Sequence, residues 1–225
     1  MKKNRKSQTA ACWRLPVWTA RIFRPFYYLH FAVADFFRWI YRVFYAGPLF
    51  EGRCSSVGRG FYTMKIPDAT SQCNMTLGDD VAFLGHVGVG SGRVFDAPAF
   101  SIGNRVTLGP TVFFTASKEV RIGDDVRIGG GSRIMDSDGH PRDTAARVAD
   151  MPPPADEIKS IHIGSKVDIG RKSIILKGVT IGEGAQVGVN SVVVANVPAY
   201  TVVAGNPARL VSRKQAPSTA AVGNE

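Results

Sequence analysis

Between residues 161 and 197 the hydrophobic positions follow a period of six. Ile163, Ile169, Ile175, Ile181, Val187 and Val193 recur at that interval, and Gly164, Gly170, Gly182 and Gly188 follow four of them. This spacing fits neither a 3.6-residue helix nor the strict alternation of a half-buried strand. It predicts short strands separated by turns, three of which close one triangular coil. The aliphatic side chain then points inward, and Gly stands where the backbone turns in a conformation that a Cβ opposes. Each coil leaves an unpaired edge that the next one covers, so the core is a stack of like residues. The alternative is a β-sandwich with glycine turns, whose strands are spaced more widely and less regularly.

The same rhythm extends backwards, less cleanly. Inward positions are expected at Leu77, Phe83, Val89 and Phe95, at Ile102, Leu108 and Phe114, and at Ile122, Ile128 and Ile134. The longer steps from 95 to 102 and from 114 to 122 are read as bulges at corners, which leave the register inside each strand intact. Before residue 77 the pattern is faint, and residues 57–66 are open between a full coil and a cap.

Residues 17–45 follow another pattern, holding 12 of the 22 aromatic residues of the chain. Placed on a helix, Arg21, Arg24, Asp35, Arg38 and Arg42 share one third of the circumference, and the rest of the surface is aromatic or aliphatic. A spanning helix would carry these charges into hydrocarbon at roughly 2.5 to 3.5 kcal/mol each. An amphipathic helix lying in the interface keeps them at headgroup level. Packing against the coils or against another subunit is the competing expectation. Gly47 and Pro48 are expected to end this helix, and Pro25 to begin or kink it. The domains expected are therefore a basic, aromatic helical arm over 1–56, a coil domain over 57–211 with an insert at 135–160, and a mobile tail over 212–225.

The charge supports that division. The chain has a net charge of +10, and residues 1–60 supply +9 of it. The coil domain is close to neutral, so nucleic acid is not an expected partner. An anionic membrane surface facing the arm is. Cys12, Cys54 and Cys73 follow no metal spacing and suggest reduced thiols in a cytoplasmic protein. Arg14, Arg21 and Arg24 interrupt the stretch after the basic start, so no export is expected.

The chemistry is expected in the insert. After Ile134 the clean register resumes only at Ile163, and the intervening MDSDGHPRDTAARVADMPPPADEIKS opens with Asp136, Asp138 and His140. A stack of coils does not need such an insert, which suggests a task beyond folding. An imidazole accepts a proton at neutral pH, and a nearby carboxylate orients it.

Together, IMDSDGHP, the hexads of 161–197 and VPAYTVVAGNPARLV resemble the hexapeptide-repeat acyltransferase superfamily. They are most similar to maltose and galactoside O-acetyltransferases and to polysaccharide and lipopolysaccharide O-acetyltransferases. The resemblance covers roughly residues 75–213. It implies an all-β fold, a left-handed parallel β-helix with a projecting loop, assembled as a homotrimer with acetyl-CoA in the clefts between subunits and no metal. That hand is an exception to the usual right-handed crossover. The resemblance further implies His140 as general base, with Asp138, and next Asp136, as its orienting carboxylates. Gly170 and Arg171 match the backbone donors to the oxyanion, and Gly188 and Val189 the contacts to pantetheine. Arg209 matches a residue near the CoA phosphates. A Thr-Lys pair common in the family is replaced here by Val194 and Ala195, with Arg213 or Lys214 as the substitute. The polar acceptor contacts of the galactoside enzyme fall on Gly109 and Ser117, which argues against simple galactosides.

The implied function is acetyl transfer from acetyl-CoA to a sugar hydroxyl of a cell-surface polysaccharide or lipopolysaccharide precursor, including one still lipid-linked, on the inner face of the cytoplasmic membrane. Three alternatives stay open. An amino-sugar N-acetyltransferase would use the same base. A zinc carbonic anhydrase of the same fold would need three converging imidazoles, whereas His30, His86, His140 and His162 are scattered along the chain. A non-catalytic scaffold would bind no CoA.

Overall fold

The computed structural model describes residues 17–69, 73–92 and 94–215. The chain divides into two compact units, Met1–Ile40 and Tyr41–Glu225.

The described part of the first unit lies in helix α1, Val17–Tyr41, with Pro25 inside it rather than at its start. Aromatic side chains pair along the helix: the rings of Tyr27 and Phe31, four residues apart, have centroids 4.7 Å from one another. Arg38 reaches Asp35 at 2.8 Å. Among the described residues no helix is long and apolar enough to cross a membrane.

The second unit opens with a π-helical turn, Arg42–Ala46, and a short helix α2, Gly47–Glu51. Gly47 and Pro48 were expected to stop the helix, yet they carry it on. Gly47 has helical φ, and Pro48 opens a fresh turn where its missing N–H is no loss. This turn buries Phe50 against Phe61 and Phe83, with ring centroids at 5.5 and 5.8 Å. These rings plug the first coil.

The coils follow as a parallel β-helix with three sheets of six, eight and five strands, visited in rotation by the chain. Strands Ser56–Val57 and Tyr62–Thr63 and a bridge from Asp68 to Gly88 already belong to the stack, so residues 57–66 begin a coil. In the regular part Ile163 stands beside Ile181, Ile169 beside Val187 and Ile175 beside Val193, each pair eighteen positions apart. All six side chains of this hexad series are buried, and so is a second series two positions earlier: Ile161, Val167, Ser173, Val179, Ala185 and Ser191.

The glycines that follow the aliphatic residues serve a different purpose from the one expected. Their φ angles are not left-handed; that conformation falls two residues later, at Lys166, Lys172, Gly184 and Asn190. What Gly170 provides is closeness, since a Cβ there would lie 2.5 Å from the amide N of Val189 on the next coil.

The expected position of Phe95 is a miss. It is only half-buried, in the loop between strands Val87–Gly90 and Ala99–Ile102, with the Lys118 ammonium 5.8 Å from its ring. Ile102 holds the hexad place of that coil on the first sheet, and Phe100 the second inward place two residues earlier. The loop at 91–98, the short turn at 116–118 and the long insert all leave the third sheet and enter the first, so every irregularity from residue 91 onward lies along one edge of the prism. At the far end, strands Thr201–Gly205 and Ala208–Arg213 form an antiparallel hairpin. Residues 212 and 213, expected in the tail, are paired in this hairpin, and Lys214 donates its amide to the Tyr200 carbonyl. Residues 216–225 lie outside the described residues.

Candidate active site

The insert leaves the coil after strand Arg133–Met135 and returns at Ile161–Ile163. Asp136 sits at its root, fully buried. One carboxylate oxygen accepts the amide of Ser117 at 2.8 Å, and the other accepts those of Lys118 and Glu119 at 2.7 and 3.0 Å. Burial lifts this carboxyl above its ordinary range, against the pull of the three donors. Asp136 thus fixes the 117–119 turn and does not pair with His140.

Asp138 is engaged as well, reaching Lys177 Nζ on the coil at 2.7 Å. The same ammonium lies 4.0 Å from Glu157, which also faces Arg142 at 3.5 Å. These pairs tie both arms of the insert to the stack. Between them a helical turn α3, Thr144–Val148, is capped by Asp143, whose carboxylate accepts the Ala146 amide at 2.7 Å.

His140 follows Gly139, whose φ of +81° suits a residue without a Cβ. Its Nδ1 lies 3.3 Å from the backbone carbonyl of Pro141. A carbonyl only accepts, so in this contact Nδ1 carries the hydrogen, and a neutral ring then has its lone pair on Nε2. The contact to Nδ1 is thus a backbone oxygen, whereas Asp138, expected beside His140, faces Lys177.

His140 lines a cleft of about 320 Å³ between the insert and the third sheet, together with Phe113, Ser117, Arg147, Asp150 and Met151. Ser117 accepts the Gly92 amide at 2.9 Å, which joins the 91–98 loop to the same wall. Of the two expected acceptor positions, Ser117 is in this cleft, whereas Gly109 packs against Gly130 at another corner.

A second groove, about 290 Å³, runs along the corner between the second and third sheets and brings together Gly170, Arg171, Gly188 and Val189. Here the expected oxyanion pair is reduced. The Gly170 N–H donates to the Val187 carbonyl at 2.8 Å, which leaves the Arg171 N–H of the two. The Gly188 N–H is likewise given to Val203. Buried serines hold the corner: Ser132 and Ser173 donate to the carbonyls of Gly170 and Gly188 at 3.1 and 2.9 Å. Val194 is exposed, Arg209 donates to the Ala208 carbonyl at 3.0 Å, and Arg213 ends the closing hairpin opposite Thr201. None of these three is among the residues that line the groove.

No family model matches the chain. A probable acetyltransferase of Mycobacterium tuberculosis is 32% identical over 114 residues, 50% of this chain and 37% of that protein. The chain spans between 23% and 37% of the length of the curated relatives it matches first. Among solved structures, an N-acyltransferase from Bacillus cereus in complex with dTDP and coenzyme A superposes with a TM-score of 0.61 at 18% identity, covering 78% of this chain and 92% of that one. The polysialic-acid-specific acetyltransferase NeuO gives 0.50 at 26%, covering 75% and 88%. The fold is the left-handed β-helix of the hexapeptide-repeat acetyltransferases.

Of the residues that line the cleft, the sequence reading singled out His140 and Ser117 but not Phe113 or Arg147. Phe113 faces outward beside an inward aromatic, a pattern visible as VFF at 112–114. Arg147 and Lys177 carried no signal before the insert was folded.

Proposed function

We propose that the chain is an acetyltransferase that carries acetyl from acetyl-CoA directly to a sugar hydroxyl of a cell-surface glycan or its precursor, with His140 as general base. The observation that carries this reading is the His140 imidazole on the cleft, its Nδ1 tied to the Pro141 carbonyl and its Nε2 left to accept a proton. The acceptor O–H gives its proton to Nε2 as its oxygen attacks the thioester carbonyl. The Arg171 N–H supports the oxyanion. As the tetrahedral intermediate collapses, the C–S bond breaks and the imidazolium returns the proton to the CoA sulfur.

His140 and the Gly170 to Gly188 groove stand at different corners, on either side of the third sheet. A homotrimer would set the cleft of one copy against the groove of the next and so complete the site. The glycines suit the pantetheine arm because its backbone contacts need no side chain, and Arg209 and Arg213 are the candidates for the CoA phosphates.

The arm serves as a peripheral anchor on the anionic inner face of the cytoplasmic membrane. Phe23, Phe26, Phe37 and Phe44 of the helical arm are exposed, and the basic residues of 1–60 each add about 1 kcal/mol near such a surface. A lipid-linked glycan would be presented at that surface.

Incubation with acetyl-CoA and a panel of envelope sugars, following thiol release, tests the reaction. Loss of the acetyl group in alkali marks an ester, and its retention marks the amide of an amino-sugar transferase. No release with any acceptor and no CoA binding would leave the scaffold. Flotation with anionic liposomes, with and without residues 1–50, tests the anchor.

A further inference from the structure

We propose that the acceptor is an anionic sugar, bound with its ring on Phe113 and its carboxylate or phosphate at Arg147. This rests on the acetyl-transfer reading for the identity of the site, although the features that support it do not depend on His140.

Phe113 points away from the core between two inward residues, Val112 and Phe114, and is one of the few large apolar side chains of the coil that remain exposed. Its ring is held flat by its neighbour strand. Gly88 pairs with Phe113 in register, and a Cβ on Gly88 would lie 2.5 Å from the ring; one on Gly90 would lie 3.3 Å from its tip. The backbone of two glycines therefore carries the ring. On the next strand, Arg133 is in register with Phe113 and sets its guanidinium carbon 5.8 Å from the ring centroid. Phe113 keeps 37% of its surface exposed and lines the polar cleft, and that exposed apolar area suits the C–H surface of a sugar.

The charge around it is chosen as well. Arg147, in the last turn of α3, lines the cleft together with Asp150. Arg133 lies over the ring and Arg147 lines the same cleft, a cationic charge that a neutral sugar would not need. A guanidinium fork matches a carboxylate or a phosphate bidentately.

The test compares matched acceptors on the full-length protein: a methyl hexoside, its uronic acid and its 6-phosphate. Sugar binding is followed by ligand-observed NMR, which needs no turnover, and transfer by thiol release. Both anions should bind about tenfold or more tightly than the neutral sugar, and the better of the two identifies the source of the charge. Arg147→Ala should erase the preference, Arg147→Lys restore part of it, and Phe113→Ala weaken all three. Equal binding of the three sugars, or a preference that survives Arg147→Ala in a folded variant, overturns the proposal. Selective binding without thiol release would uphold it while sinking acetyl transfer.

Discussion

Lys159 donates its backbone N–H to the carbonyl of Asp136 at 3.0 Å. The insert thus leaves and re-enters the coil at one point, and a long excursion is added without opening the stack. The side chain of the same Asp136 holds the 117–119 turn, so one residue joins the neck of the insert to the wall of the cleft.

Asp136→Asn should therefore destabilise the fold by about 1 to 3 kcal/mol, because the new NH2 group faces amide donors that have lost an acceptor. Urea denaturation at pH 7 measures it. The dependence on pH has a definite sign. Burial holds the folded carboxyl above its unfolded value, so its contribution is fully present below the unfolded value and is lost as pH rises through the folded one. The stability advantage of the wild type over the variant should shrink as pH rises across that window. An advantage that grows contradicts this account of Asp136.

Lys177 is nearly buried and meets two carboxylates of the insert. Lys177→Met leaves the partly buried Asp138 and Glu157 carboxylates without this cation, so it should loosen the insert at a cost of about 1 to 3 kcal/mol. It should speed proteolytic cleavage within 137–158 and raise KM for the acceptor. Limited proteolysis beside thermal denaturation separates the two effects.

Gly170→Ala should cost about 1 to 3 kcal/mol through overpacking, as the added methyl meets the Val189 backbone rather than a movable side chain. The melting temperature reports it, and the groove beside it should distort.

The hexads are legible in the sequence because each inward Ile or Val repeats one role in one environment, and a hydrophobic period records that directly. The second inward series is not, since Ser173 and Ser191 are polar and interrupt the apolar signal even though they are buried. Phe95 misleads for a related reason: a corner loop shifts the register without a mark, and its aromatic side chain fits the period by accident. His140 is legible from its GHP setting, but its partner is the Pro141 carbonyl, and a backbone atom leaves no residue signature. Carboxylates two and four residues away look like natural partners; folding sends one down to a turn and the other across to Lys177.

Burial raises the thiol pKa of Cys54 from 9.0 to about 11. At pH 8 its thiolate fraction is then about a hundredfold below that of an unperturbed thiol. Iodoacetamide should label Cys54 very slowly in the folded protein and readily in urea, as mass analysis of the modified peptides will show. Rapid native labelling would contradict the packing around Cys54.

The most direct test of acetyl transfer is the rate of CoA release by His140→Ala beside the wild type, with acetyl-CoA and a working acceptor, in a variant shown to retain its melting temperature and its affinity for CoA. A loss on the order of 10² to 10⁴ in kcat, with both controls unchanged, is the predicted result. An unchanged kcat would contradict His140 as the general base.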